Sequence, residues 1–221
     1  MFVGHIGVGM ILRKAAPEIN LGVLLLASLL LDMLLGIFVL VGWEQIVVPA
    51  NYARLHYLNF IFPYSHSLVA AVGWSLVVMG ASYGVWRSDP NRIRLRVSVA
   101  IAAAVLLHWV CDWLVHPPQL PLAGKGSAVV GAGLWNHLAW ALLAEVLLVA
   151  LGLTLYLRSV SHTSRIRRWG LTGFVCLLTL MAVVGQAMVT QAPQPTAVAV
   201  SLLLQTLVVC AVGGWLDRKP E

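Results

Sequence analysis

A chain of 221 residues that is 60% hydrophobic and only 10% charged is no soluble globular domain, in which about a quarter of residues carry charge. Its net charge of +6 is spread over short polar connections rather than gathered in a folded basic module, so no nucleic-acid partner is expected. The apolar residues fall into blocks close to the length that crosses a hydrocarbon core of ~30 Å. The expected fold is an all-α integral membrane protein, a single domain over 1–221 surrounded by membrane lipids.

The opening MFVGHIGVGMIL is apolar, too short to span, and holds His5; it predicts a short half-inserted helix. It reads poorly as a signal peptide, because no basic stretch precedes it and no small-residue cleavage site follows. A first span near 20–42 is interrupted by Asp32. An outer segment, 43–64, carries the aromatic run NYARLHYLNFIFPY and leads into a second span near 65–86, opened by His66. RSDPNRIRLR closes a hairpin to a third span near 97–115, which contains His108 and Asp112 and runs into His116 and a Pro117-Pro118 stop. A second outer segment, 117–133, precedes a fourth span near 134–158, opened by His137 and containing Glu145. Outer loops of this length suit lids or binding segments. Two last spans, near 170–189 and 196–215, hold Gln186 and Gln205 as their only strongly polar side chains. Residues 1–158 thus read as the core that carries chemistry, and 159–221 as scaffold. Six spans and one half-inserted helix account for the chain.

With both ends placed inside, twelve of the fourteen Lys and Arg fall on inner segments, from Arg13 and Lys14 to Arg218 and Lys219, and only Arg54 and Lys125 fall outside. That asymmetry is the positive-inside pattern and predicts cytoplasmic termini. Cys111, Cys176 and Cys210 all lie within spans, form no CxxC pair, and suggest no disulfide framework.

The ionisable residues inside the spans are the main functional signal. A charge at bilayer depth costs roughly 2.5–3.5 kcal/mol on insertion scales and faces an interior partner. Residues four apart share a helix face, so His108 and Asp112 stand about 6 Å apart along one axis, with His116 a further turn outward. Neutral imidazole nitrogen and carboxylate oxygen together suit zinc, and also manganese or iron at higher coordination number. Depth lets His5, Asp32, His66, His108, Asp112 and His137 converge as ligands of a divalent cation, with Asp112 and His116 next to the chemistry. Ser67, Asn136 or His116 are candidates to stabilise developing charge, and Glu145 to orient a ligand histidine. His56 and His162 fall in loops and are set aside. Other readings stay open: a hydrogen-bonded tie between helices, a permease using His/Asp relays, a haem-binding electron carrier, or a non-catalytic scaffold.

The ordered motifs GH at the start, LLxD in the first span, YSHS opening the second, HWVCDWLVH in the third and LWNH opening the fourth resemble the YdjM-like family of bacterial inner-membrane metal-dependent hydrolases. The likeness covers about residues 1–158 and maps onto His5, Asp32, Ser65-His66-Ser67, His108 and Asp112. It implies a bacterial inner-membrane location and hydrolysis at a metal site. The ligand order is also similar to that of soluble zinc-dependent phospholipase C and single-strand nucleases. By that likeness Asp32, His66, His108 and Asp112 hold one metal, His5 shares Asp112 with a second, and His116 and His137 serve a third. The chain departs from that pattern at Ala141, where a carboxylate would follow His137, and at its opening Met1, where the pattern has tryptophan. One or two metals are therefore expected, under the outer leaflet, where a lipid headgroup or other amphiphile is the natural substrate.

Overall fold

The computed structural model describes residues 1–160 and 164–218; His162 and Lys219 lie outside the described residues. The chain is helical, with helices α1 (Phe2–Ala15), α2 (Leu21–Ser28), α3 (Leu30–Leu40), α4 (Tyr52–Leu55), α5 (Leu68–Val85), α6 (Asn91–Val115), α7 (Leu138–Ser159), α8 (Arg165–Met188) and α9 (Pro195–Leu216). Two small hairpins interrupt it. β1 (Gln45–Val47) pairs antiparallel with β2 (Asn59–Ile61), and β3 (Leu120–Pro121) with β4 (Val129–Val130). Among the described residues five helices are long and apolar enough to cross a membrane, giving six spans if the bent pair α2–α3 counts as one.

Local chemistry sets the boundaries. The side chains of Asn20, Ser67 and Ser164 accept from backbone N–H groups in the first turns of α2, α5 and α8, satisfying donors that a helix start leaves open. Pro195 opens α9, where its missing N–H is not needed. Pro117 drives His116, the residue before it, into extended backbone (φ −66°, ψ 142°), because the proline ring disfavours helical geometry at the preceding position.

The predicted first span is not one helix. It breaks at Leu29 and bends by 53° between α2 and α3, so Asp32 falls in the first turn of a new helix. The opening segment is a 14-residue helix, about 21 Å long and too short to span. It is nevertheless an interior element, with Val3 to Met10 buried throughout. Its closest neighbour is α7, where a Cβ on Gly7 would stand 2.6 Å from the Leu148 carbonyl oxygen and one on Gly152 would strike the Gly7 carbonyl. Small residues at both positions let the two backbones touch.

Two apolar layers result. Leu24, Ala27, Leu31 and Leu35 pack on Val97, Ile101, Ala104 and Val105 of α6. On the other side of α1, Ile6, Met10, Leu21 and Leu25 meet Val149, Leu171, Val175 and Val209. Large apolar residues such as Leu76, Leu147, Leu180, Met181 and Leu207 are exposed on the outward faces, as lipid-facing helices require. α8 contributes Leu171 and Val175 to the second layer. α9 goes further than the scaffold expected of 159–221: it packs along α2 and α3 and reaches the functional centre described below.

Candidate metal centre

Four parts of the fold deliver the six polar groups. α1 brings His5, α3 brings Asp32, the turn ahead of α5 brings His66, and α6 brings His108, Asp112 and, past its end, His116. His5, His66, His108, Asp112 and His116 are all buried, and Asp32 is the most exposed of the set at 15% of its side chain.

Hydrogen bonds behind the rings decide which nitrogens face inward. His108 Nδ1 lies 2.8 Å from the carbonyl oxygen of Ser28, the last residue of α2. A carbonyl only accepts, so Nδ1 carries the proton and Nε2 of the neutral ring is a bare lone pair. His66 is set in the same way by a longer chain. The Glu44 carboxylate accepts from the backbone N–H groups of Tyr64 and Ser65, each at 2.8 Å, and from the Ser65 hydroxyl at 2.6 Å. With its one proton committed, the Ser65 oxygen accepts from His66 Nδ1 at 2.8 Å.

The two bare Nε2 atoms face each other at 3.2 Å. Asp112 Oδ2 stands 3.1 Å from the first of them, His108, and 3.4 Å from His66. Asp32 Oδ1 stands 3.8 and 3.9 Å from the same two nitrogens. Four ligands about 2.0–2.1 Å from a zinc ion lie roughly 3.3–3.4 Å from one another; His66, His108 and Asp112 Oδ2 stand at about that spacing, while Asp32 is more distant and also groups with His5 and His108. Two lone pairs and two carboxylates converge here, an arrangement that a cation would balance. These buried His/Asp groups can hold a metal ion.

The other carboxylate oxygen, Asp112 Oδ1, faces a second group: His5 Nε2 at 3.1 Å, the Met1 amino group at 3.3 Å and His116 Nε2 at 3.8 Å. His5 stacks on His108 with ring centroids 3.6 Å apart, and its Nδ1 is buried without a hydrogen-bond partner among the described residues. Asp112 is thus a bridge between two loci.

No family model, no curated protein and no solved structure matches this chain. Its site is therefore read from its own geometry.

Five of the six expected ligands come together. His137 does not: it lies at the start of α7, exposed, with no polar contact to the group among the described residues. The 3₁₀ turn Leu134–Asn136 ahead of it turns Trp135 inward instead, onto His116 at 4.0 Å between centroids. Of the residues considered for stabilising charge, Ser67 caps α5 and Asn136 accepts from the Tyr57 hydroxyl, which leaves His116. Burial pushes the His116 imidazole down to about 3, so it is neutral. Glu145 touches no ligand histidine; it accepts from the Val3 N–H and anchors the start of α1, where a carboxylate also complements the helix dipole. Its effect on His5 is through that helix.

Three contributors were not foreseen: the Ser28 carbonyl freed by the break in the first span, Glu44, and Gln119. Glu44 had a signal. In a chain with eight acidic residues, one placed where a span meets an aromatic loop and then buried has to be paired.

A cavity of about 120 Å³ opens on the centre. Asp32, His66, Asp112 and His116 form its polar end, and Leu35, Phe60, Phe62, Trp135, Val198 and Leu202 its apolar wall. Phe60 of β2, Phe62 just after it and Trp135 supply the aromatic part of the wall, and α9 supplies Val198 and Leu202.

Proposed function

We propose that this chain is a metal-dependent membrane hydrolase acting on an amphiphilic ester or phosphoester. The observation that carries the reading is the pair of outward-anchored, inward-bare imidazoles of His66 and His108, closed by Asp112 and Asp32 and opening on a cavity that is polar at one end and apolar at the other. His66, His108, Asp32 and Asp112 would hold the first cation, zinc by ligand type with manganese or iron as alternatives, and His5 would share Asp112 with a second. A divalent cation there supplies Lewis-acid polarisation of an ester or phosphoryl oxygen and acidifies water toward a pKa of ~7. The carboxylates of Asp112 and Asp32 line the cavity and accept the proton that water loses. Phe60, Phe62 and Trp135 exclude bulk water, and Leu35, Val198 and Leu202 seat a hydrocarbon segment of the substrate.

The motif likeness to the YdjM-like hydrolases agrees with this site, as does a bacterial inner-membrane location with cytoplasmic termini. Basic residues gather at one end of the bundle: Arg13 pairs with Asp217, Arg96 with Glu18, and Arg167 with the Arg218 carbonyl. A permease would need a polar path from the centre to that end. Between them α1 and α2 place Ile6, Met10, Leu24 and Leu25, all fully buried, which favours the hydrolase.

Elemental analysis of the detergent-purified protein beside a His108→Ala/Asp112→Ala double variant tests the reading. One or two equivalents of zinc or manganese in the wild type, lost in the variant at unchanged helicity, are expected, followed by turnover of lipid phosphoesters or esters. A wild type that holds no metal and takes none up sinks it.

A further inference from the structure

We propose that His116 and Gln119 form an oxyanion-binding subsite beside the metal centre, in which Gln119 locks His116 as an Nε2–H donor. The proposal rests on the hydrolase reading and names the substrate chemistry the site selects: a phosphoryl or carboxylate oxygen.

The lock follows from donors that cannot reverse. The Phe60 backbone N–H lies 3.1 Å from one end of the Gln119 amide. That N–H only donates, so the end facing it is Oε1 and the other end is the NH₂ group. The NH₂ group lies 2.7 Å from His116 Nδ1. An amide nitrogen only donates, so Nδ1 accepts and the ring proton sits on Nε2. His116 is therefore opposite in tautomer to His66 and His108, whose Nδ1 atoms donate to oxygens. Of the four imidazoles around Asp112, three are sorted by their outer bonds, His66 and His108 into acceptors facing the candidate metal site and His116 into a donor.

Position agrees with that sorting. His116 Nε2 is 3.8 Å from Asp112 Oδ1, longer than the His5 contact to the same atom. The ring lines the cavity and is held between Trp135, Phe60 and Phe62 at centroid distances of 4.0, 5.6 and 5.8 Å. Pro117 turns it off the helical stripe that His108 and Asp112 share, and Gln119 follows two residues later on the same turn. An N–H on a ring that lines the cavity, beside a candidate cation site, is an arrangement that can receive negative charge developing on a substrate oxygen. His116 is thus a catalytic residue, and Gln119 a positioning residue acting through it.

The test uses the full chain in detergent, with inorganic phosphate and acetate as probes, binding read by titration calorimetry and metal by elemental analysis. Gln119→Glu accepts a proton from Nδ1 and turns Nε2 into a lone pair; His116→Leu removes the donor; His116→Gln keeps an N–H. Wild type binds phosphate or acetate, and the probe that binds identifies the ester class. Gln119→Glu and His116→Leu each weaken that binding about tenfold or more at unchanged metal content, and His116→Gln recovers part of it. Unchanged binding in both variants, or no binding of either probe by the wild type, overturns the subsite. Loss of metal in His116→Leu overturns it too, by making His116 a ligand. A chain that binds phosphate through His116 but no metal keeps the subsite and sinks the hydrolase reading.

Discussion

Two buried polar clusters lie at opposite ends of α1, and they differ in how their charges are balanced. At the basic end Asp217 accepts from Arg13 Nε at 2.9 Å, from the Leu21 N–H at 2.7 Å and from the Tyr156 hydroxyl at 2.6 Å. One carboxylate meets one guanidinium and two neutral donors, and the knot ties α1, α2, α7 and α9 without asking for anything further. At the other end Asp32 and Asp112 Oδ2 meet His66 and His108, whose ring protons already point outward, while Met1, His5 and His116 face Asp112 Oδ1. Among His66, His108, Asp32 and Asp112 Oδ2 acceptors outnumber donors, and a metal ion could make up the difference. Burial and charge alone do not separate a structural cluster from a functional one; the donor count does.

That contrast can be broken by experiment, starting with the knot. Asp217→Leu strands the Arg13 guanidinium in the bundle and is expected to cost about 3–5 kcal/mol, read as a lowered melting temperature in detergent. Metal content per folded chain should stay the same. If metal is lost while stability holds, the two clusters are one functional unit and the contrast fails.

Glu44→Gln sharpens it from the other side. The new amide donates to Ser65, frees the Ser65 hydroxyl to donate to His66 Nδ1, and moves the ring proton to Nε2. Chelator competition should show metal affinity reduced about 10–100-fold, with little change in melting temperature. Unaltered affinity would mean the Glu44–Ser65 chain only packs the loop.

A smaller effect joins the two ends. Gly152→Ala places a methyl group against the Gly7 carbonyl and pushes α1 off α7, at about 1–3 kcal/mol by thermal melting. Because α1 carries both His5 and Arg13, some loss of metal affinity should accompany the loss of stability. The smallest effect expected is none: His137→Ala should match the wild type in both melting temperature and metal stoichiometry, and a lower metal count would return His137 to the ligand set.

Much of this was legible in the residue order. Asp32, His108 and Asp112 interrupt apolar runs, and only an interior partner tolerates them there, so their convergence followed from solvation alone. His137 matches the others in sequence depth but not in direction, and lies exposed at the start of α7. Which way a residue at a helix start points depends on the preceding turn, and here that turn spends its inward position on Trp135. α9 was undervalued because its contribution to the cavity is two ordinary apolar residues, Val198 and Leu202, which carry no chemical label.

By itself the sequence determined the helical membrane architecture, since runs of apolar residues long enough to cross a bilayer have few other folds open to them. It also determined the kinds of atoms available for a metal site. Only the tertiary structure decided which nitrogen of each histidine faces inward, because that choice is made by Glu44, 21 residues from the Ser65 through which it acts, by the Ser28 carbonyl 80 residues from His108, and by Gln119 3 residues from His116. A proton's place on an imidazole is set by the hydrogen bond behind the ring, and that bond exists only once the chain has folded.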